Sequence, residues 1–474
     1  SSWSIIQKIV STLSNLDNTE FGCSLGLSGD YAVIGERNGD IVDYNENSYT
    51  DAGVINVYKR DDTTWINQAR LTASDASDND TFGYSVAIDG EYIVAGAIYA
   101  DLVYNNEGLG YIFKRNGTSW TEEAKLTIST STEADYLGAS CAISGNYAVI
   151  GMIGSDNKYD NDGSVYVFLR DGSDWTEQAK LTASEAHIDE NFGLNVSIDN
   201  STKTLVVGCE LSENSGYPSN TSIGNVYVFV RNGTNWSEQA ILTASDGNTN
   251  DLFGSSVVVK ENIIIVGAKG YGEPQYNSAE DGAIYVYSRI NTAWTEIKKI
   301  TGISDENFGI SIDLDINEKN IIIGANTNSE YESNSGASYI YSYDIGWEEI
   351  AKLTETTPVN NNYFGQQVAI DSSSNTAIVG ENSNGTNHFG YIDAGAIYVF
   401  TKSTITEIEH KLTNPTLSSY AASDFYGWSV AIDGDYAIVG AQMYNNPLNY
   451  YHSYGAAFIY HFSNDRWYVQ KTIY

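Results

Sequence analysis

Residues 82–97 read Phe-Gly-Tyr-Ser-Val-Ala-Ile-Asp-Gly-Glu-Tyr-Ile-Val-Ala-Gly-Ala. Apolar and polar residues alternate through Ser85-Val86-Ala87-Ile88, Asp89-Gly90 is a tight-turn pair, and Tyr92-Ile93-Val94-Ala95 is a second short run. The stretch therefore predicts two antiparallel strands joined by a two-residue turn. The same pattern restarts, with variation, at Phe21, Leu137, Phe192, Phe253, Phe308, Phe364 and Tyr426. That makes eight copies, 55 to 62 residues apart, and repetition at that period points to a modular architecture.

Two more strands follow in each copy. The third is Gly-x-x-Tyr-Val-Phe, at 163–168, 224–229 and 395–400; the fourth starts with Trp, at 120–127 and 175–182. Turns such as Arg115-Asn116-Gly117-Thr118 and Arg231-Asn232-Gly233-Thr234 join them. Four antiparallel strands repeated without helical periodicity predict an all-β fold, a β-propeller of eight four-stranded blades spanning residues 1–474. Seven blades plus an irregular N-terminal unit is the alternative. Glycines after Phe and before Ala are expected where inner strands converge, because a side chain there would clash. The recurring Trp, Tyr and Phe are expected to wedge between blades as core.

Composition narrows the partners. There are 24 Lys and Arg against 61 Asp and Glu, a net charge of −37. Nucleic acid is excluded on that balance, since its backbone is bound by releasing counterions to Lys and Arg. Anionic membrane surfaces are disfavoured for the same reason. No apolar run approaches the roughly 20 residues that span a bilayer, so membrane insertion is not expected. Cys23, Cys141 and Cys209 lie on apolar strand patterns and are expected as small buried thiols. The chain starts at Ser1 without Met or a basic-apolar leader, which fits a processed secreted chain or a trimmed one.

Phe-Gly followed by Val-x-Gly-Ala and then Gly-x-x-Tyr-Val-Phe resembles the FG-GAP repeat proteins, a class that includes the propeller heads of integrin α subunits. The resemblance is nearest to the microbial-type repeat with Trp-Thr-Glu-Gln-Ala-Lys-Leu-Thr-Ala-Ser, found at 175–184, and with Ser and Ile replacements at 236–246. It covers nearly the whole chain and implies extracellular adhesion or assembly. The integrin pattern carries a calcium loop between the first and second strands. Here that connection is a two-residue turn in most copies, too short to supply six to eight oxygens. The nearest approach is Asp313-Leu-Asp315-Ile-Asn317-Glu318 in one copy. Asp313, Asp315 and Asn317, with Asp160 and Asp162 of a later connection, are the calcium candidates; no other cofactor is expected.

Fourth-strand segments begin at Trp3, Trp65, Trp120, Trp175, Trp236, Trp294, Trp347, near Ile405 and at Trp467. That is nine for eight blades. Residues 1–12 are a surplus outer strand and residues 467–474 the C-terminal one. The surplus strand either adds within its own molecule or pairs with the edge of another copy, which would build a homopolymer, a fibre or surface layer. The assembly candidates are Trp3, Ile5, Ile6, Ile9, Trp467, Val469 and Ile473.

In a meander, the connections from second to third strand and from fourth to next first strand share a face, and these are the long ones. They carry Tyr44, Tyr49, Tyr444, Tyr450 and Tyr451 beside Asp78, Asp80, Asp189, Glu190, Asn250, Asp251, Asp305 and Glu306. Tyr, Asn and Asp suit contacts to glycans or a surface receptor, and equally form turns. Sequons at Asn79, Asn116, Asn195, Asn200, Asn220, Asn232, Asn235 and Asn384 are glycosylation candidates. His187, His388, His410, His452 and His461 sit at non-equivalent positions and form no catalytic motif. The expectation is a non-enzymatic, secreted or cell-surface structural protein that assembles with itself, with an adhesion or lectin-like module as the alternative.

Overall fold

The computed structural model describes the chain except residues 1–7, 10–20, 29–30, 43–46, 62–63, 129, 212–221, 273–280, 304–305, 316–318, 356–357, 359, 372–375, 382–395, 402–407, 414–425, 434–435, 442–455, 464–465 and 474. Every regular element among the described residues is a β-strand. Each Phe-Gly copy opens an antiparallel meander, so among the described residues eight sheets of four or five strands follow one another, with a two-stranded ribbon besides, and the architecture is a β-propeller. The second sheet is representative: Phe82–Asp89, Tyr92–Ala97, Leu109–Asn116 and Ser119–Leu126. Phe21–Ser28, Tyr31–Glu36, Val54–Asp61 and Thr64–Leu71 form a sheet of their own.

Burial explains the sequence pattern strand by strand. Tyr92–Ala97 and Tyr147–Met152 are buried at every residue, which is why second strands read as continuous apolar runs. The outer strand Ser119–Leu126 buries only Trp120 and Leu126 fully, so polar residues alternate along it.

The chain divides into two compact units, residues 1–84, 117–119 and 313–474 forming one, and 85–116 with 120–312 the other. Inside the second unit, successive sheets are joined by three repeated contacts. The first is backbone against backbone: a Cβ on Gly96 would fall on Gly138, and one on Gly151 on the carbonyl of Gly193. Gly138 and Gly193 have φ of 101° and 105°, a region that favours glycine. The second is a serine two residues after that glycine. Ser85 Oγ donates to the Gly138 carbonyl at 2.8 Å, Ser140 Oγ to Gly193 at 2.6 Å and Ser256 Oγ to Gly309 at 2.9 Å.

The third contact uses the fourth-strand Trp. Trp175 Nε1 donates to Glu123 Oε1 of the preceding sheet at 3.2 Å; Trp236 donates to Gln178 and Trp294 to Gln239, both at 2.7 Å. The acceptor follows its own Trp by three residues, at a bulge that turns it toward the next sheet. Trp236→Phe is expected to lower stability by about 1 kcal/mol, the usual cost of one such hydrogen bond. Urea unfolding checks this; an unchanged midpoint would show the indole N–H to be idle.

In the first unit, Phe21–Ser28 packs beside Tyr426–Asp433 and Tyr436–Ala441 of the last sheet. That last sheet, completed by Ala456–Ser463 and Arg466–Ile473, has a fifth strand, Lys8–Ile9. It runs parallel to the C-terminal strand, Lys8 opposite Thr472 and Ile9 opposite Ile473. At those two residues the surplus strand lies on its own molecule. Trp3, Ile5 and Ile6 fall outside the described residues, as do the side chains of Ile9 and Ile473. Trp467 and Val469 are 0% and 5% exposed, packed with Phe364, Val379 and Phe458. These two are core side chains, not assembly surfaces, because the alternation of the last strand turns them inward.

Candidate functional site: the long-loop face

The two sets of long connections do share a face in the second unit, held side by side through backbone hydrogen bonds. Ala134 N donates to Asn105 O at 2.8 Å, Tyr136 N to Asn106 O at 3.1 Å and Leu137 N to Glu107 O at 2.9 Å. One sheet on, Asp189 N donates to Asp160 O at 2.9 Å and Asn191 N to Asn161 O at 3.3 Å. To enter the next sheet the backbone takes positive φ just before the Phe-Gly pair, 57° at Tyr136, 54° at Asn191, 56° at Leu252 and 49° at Asn307. Non-glycine residues held there cost of order 1–3 kcal/mol each, so something must fix them.

Buried carboxylates do so. Asp80 accepts Ser77 N at 2.6 Å, Asp251 accepts Asn248 N at 2.7 Å, Asp135 accepts Thr132 N and Glu306 accepts Ile303 N. A second set closes the connections from second to third strand. Asp162 receives Asn157 N at 2.9 Å, Lys158 N at 2.8 Å, Tyr159 N at 3.1 Å and Asn157 Nδ2 at 2.8 Å. Glu107 receives Leu102 N and Val103 N on one oxygen. Asp80, Glu190, Asp251 and Glu306 are therefore interior, not displayed on the face as the sequence suggests. A carboxylate bonded to amides is a cheap way to fix a tight loop.

A lysine tempers the acidity of an exposed aspartate on this face. Lys299 lies directly across the strand pair from Tyr285, its Nζ 3.4 Å from the centroid of the Tyr271 ring and 2.5 Å from Asp246 Oδ2. Tyr285 donates its hydroxyl to Asp246 Oδ1 at 2.9 Å. Burial works against the Asp246 carboxylate, but the bonds from Lys299 and Tyr285 hold its carboxyl below the usual range. Asp251 differs: its Oδ1 is buried without a hydrogen-bond partner, and burial pushes the carboxyl up to about 6. A carboxyl raised in the folded state stabilises fully below its unfolded value near 4, and that stability is lost as pH rises through about 6. Two pH units correspond to about 3 kcal/mol at most. Asp251→Asn is expected to match the parent near pH 4 and melt higher near pH 8. Thermal unfolding across that range checks it, and parallel curves would overturn it.

The calcium candidates do not converge. Asp162 is saturated by N–H groups, as above. Asp313 Oδ2 accepts Ile370 N at 2.9 Å and its Oδ1 accepts Leu314 N at 2.8 Å, while the Asp315 side chain and Asn317 fall outside the described residues. Asp160 is exposed. No group of three or more metal-binding side chains occurs among the described residues. Of the tyrosine candidates only Tyr49 is described, half-buried against Ile41, Ala52 and Val54; Tyr44, Tyr444, Tyr450 and Tyr451 lie outside. Among the sequons, Asn79, Asn116, Asn232 and Asn235 are exposed, Asn195 and Asn200 half-buried, and Asn220 and Asn384 outside the described residues. His187 stacks on Tyr159 and His461 on Tyr436. Cys209 is buried and Cys141 half-buried, both free thiols, and burial raises the Cys141 thiol to about 12. Cys23 is beyond description at the side chain.

The FG-GAP repeat family matches at residues 65–113, 120–168, 175–229, 236–287, 347–400 and 410–460, together most of the chain. The chain belongs to the FG-GAP repeat family. Each matched FG-GAP segment runs from a fourth strand into the third strand of the next sheet, so the family's unit straddles a seam. No curated protein sequence matches the chain. Among solved structures it is similar to Sqt1 of Chaetomium thermophilum, at 11% identity and a TM-score of 0.55, covering 92% of this chain and 95% of that one. Sqt1 of Saccharomyces cerevisiae gives 10% identity and a TM-score of 0.52, covering 96% and 97%. At such identity the likeness concerns the fold alone.

Proposed function

We propose that this FG-GAP protein is a non-enzymatic extracellular binding scaffold that engages a macromolecular partner, a protein receptor or a surface glycan, through its long-loop face. The observation that carries the reading is the division of labour on that face. Its interior carboxylates fix backbone, as Asp162 and Glu107 do, and large side chains such as Tyr104 and Tyr159 stand exposed on the loops so fixed. Rigid loops bearing exposed aromatics bind with little ordering cost. The exposed sequons Asn79, Asn116, Asn232 and Asn235 support the extracellular setting. A glycan array and a cell-surface binding assay, each run with calcium and with chelator, test it. Saturable binding by monomeric protein supports the scaffold; no binding in either assay removes it.

Self-assembly by strand exchange is the second reading, favoured by the fifth strand of the last sheet. Two residue pairs hold Lys8–Ile9 at an outer edge, and such an element can be exchanged with a neighbouring copy at low cost. Electron microscopy and light scattering of full-length protein and of protein lacking residues 1–12 test it; fibres that persist without those residues would refute strand donation.

A further inference from the structure

Two connections on the long-loop face are built alike and dressed differently. Residues 101–107 link the middle strands of the second sheet and residues 156–162 those of the third, each seven residues long and followed by glycine. In both, the first aspartate accepts the amide five residues on: Asn106 N to Asp101 Oδ1 at 2.6 Å, and Asn161 N to Asp156 Oδ1 at 2.8 Å. In both, the last acid gathers the amides of the tip, Leu102 and Val103 on Glu107, Asn157, Lys158 and Tyr159 on Asp162. The same turn thus accepts Asn157-Lys158 in one sheet and Leu102-Val103 in the other. Its geometry does not require apolar residues at the tip.

Yet the second sheet's tip is apolar. Leu102, Val103 and Tyr104 are consecutive and 50%, 71% and 47% exposed, with Tyr99 alongside at 41%. Consecutive exposed apolar residues weaken solubility without aiding the fold, and covering them with a partner removes apolar surface from water. Tyr99 is braced edge-on by Tyr136. The tip's loop and the connection bonded to it are anionic: Asp101 and Glu133 are exposed, and Ala134 N donates to Asn105 O of the tip's loop. Residues 98–108 and 128–138 contain no Lys or Arg.

We propose that the Leu102-Val103-Tyr104 tip is an anchor that enters an apolar pocket of a partner protein whose rim carries Lys and Arg. The inference rests on the scaffold reading above and names the residues and the partner chemistry. An apolar tip whose own loop and bonded neighbour carry exposed Asp101 and Glu133 and no Lys or Arg fits a surface that is greasy at its centre and basic at its edge. A second copy would bring more carboxylates to the tip, given the net charge of −37, and an anionic bilayer would repel it.

The test is selection of a random peptide library displayed on phage against the whole protein, followed by titration of the synthesised winners. Winners are expected to combine Lys or Arg with bulky apolar residues and to weaken as salt rises. L102N/V103N should weaken them about tenfold or more, and L102I/V103I by less than about twofold. Both side chains are exposed, and Asn157 already stands at the matching position, so the first variant is expected to fold and melt like the parent. Winners that bind L102N/V103N undiminished overturn the anchor; if Y159A, at an exposed tyrosine of the matching turn in the same unit, releases them instead, the long-loop face survives as the binding surface and the tip does not. Winners without basic residues overturn the charge complementarity. Sedimentation with phosphatidylcholine vesicles that is lost in L102N/V103N would assign the tip to a lipid surface and overturn the protein partner.

Discussion

Gly151→Ala is expected to cost more than about 3 kcal/mol and to leave little folded protein, against a total stability of about 5–15 kcal/mol for a domain. A Cβ at Gly151 would fall on the carbonyl oxygen of Gly193 and beside Ser140 Oγ, which already donates to that carbonyl at 2.6 Å. Neither neighbour can retreat: one is backbone in a φ of 105°, the other is held by its own bond. The strands would have to part along the seam, exposing Val149 and Val165. Gly172→Ala is the control. Its turn has open space around it, and only its φ of 66° is strained, for roughly 1 kcal/mol. Soluble yield and thermal unfolding of both variants check this, and a Gly151→Ala protein that melts with the parent would mean the seam is looser than the coordinates show.

Asp162→Ala should be nearly as damaging, though locally. One carboxylate there receives four N–H donors from residues 157–159, at 2.8 to 3.1 Å. Removing it strands four part-buried donors, each at about 1 kcal/mol once water reaches some of them. The expected result is a loss of about 3 kcal/mol overall and rapid proteolysis between residues 156 and 163. Asp162→Asn keeps one acceptor oxygen and should lose less. Because the carboxylate serves amides and not a cation, chelator should leave the parent's melting temperature unchanged. A large fall on chelation would return Asp160 and Asp162 to the calcium candidates.

The residues that the repeat made legible are those whose role is local. Phe82-Gly83 and Gly96-Ala97 announce a close backbone approach because glycine at a fixed place in every copy has few other uses, and the structure puts Gly96 against Gly138. Asp89-Gly90 and Asn116-Gly117 announce turns through their backbone preferences, and Gly90 and Gly117 take φ of 59° and 63°. What escaped reading is what crosses a seam. Trp175 meets Glu123, and Trp236 meets Gln178, across 52 and 58 residues. No local pattern shows such a pair. The signal was there in the repeat offset, since Glu123, Gln178 and Gln239 each trail their own Trp by three residues, and a serine stands two residues after the glycine in six of the eight copies. The acids misled for another reason. Asp80, Glu190, Asp251 and Glu306 look like surface charge in a polar stretch, and only the fold reveals the amides they face. Leu102-Val103 escaped because two apolar residues in a loop carry no motif; comparison with Asn157-Lys158 in the matching turn gives them meaning.

The parallel fifth strand also fixes how this molecule meets a mechanical load. Lys8–Ile9 and Thr472–Ile473 point the same way, so tension between the two chain ends pulls them in opposite directions along their common axis. Every bond of that pairing is then sheared at once instead of being opened singly from one end. A tether through the termini would yield abruptly, with the outermost ribbon sliding free before any meander behind it is disturbed.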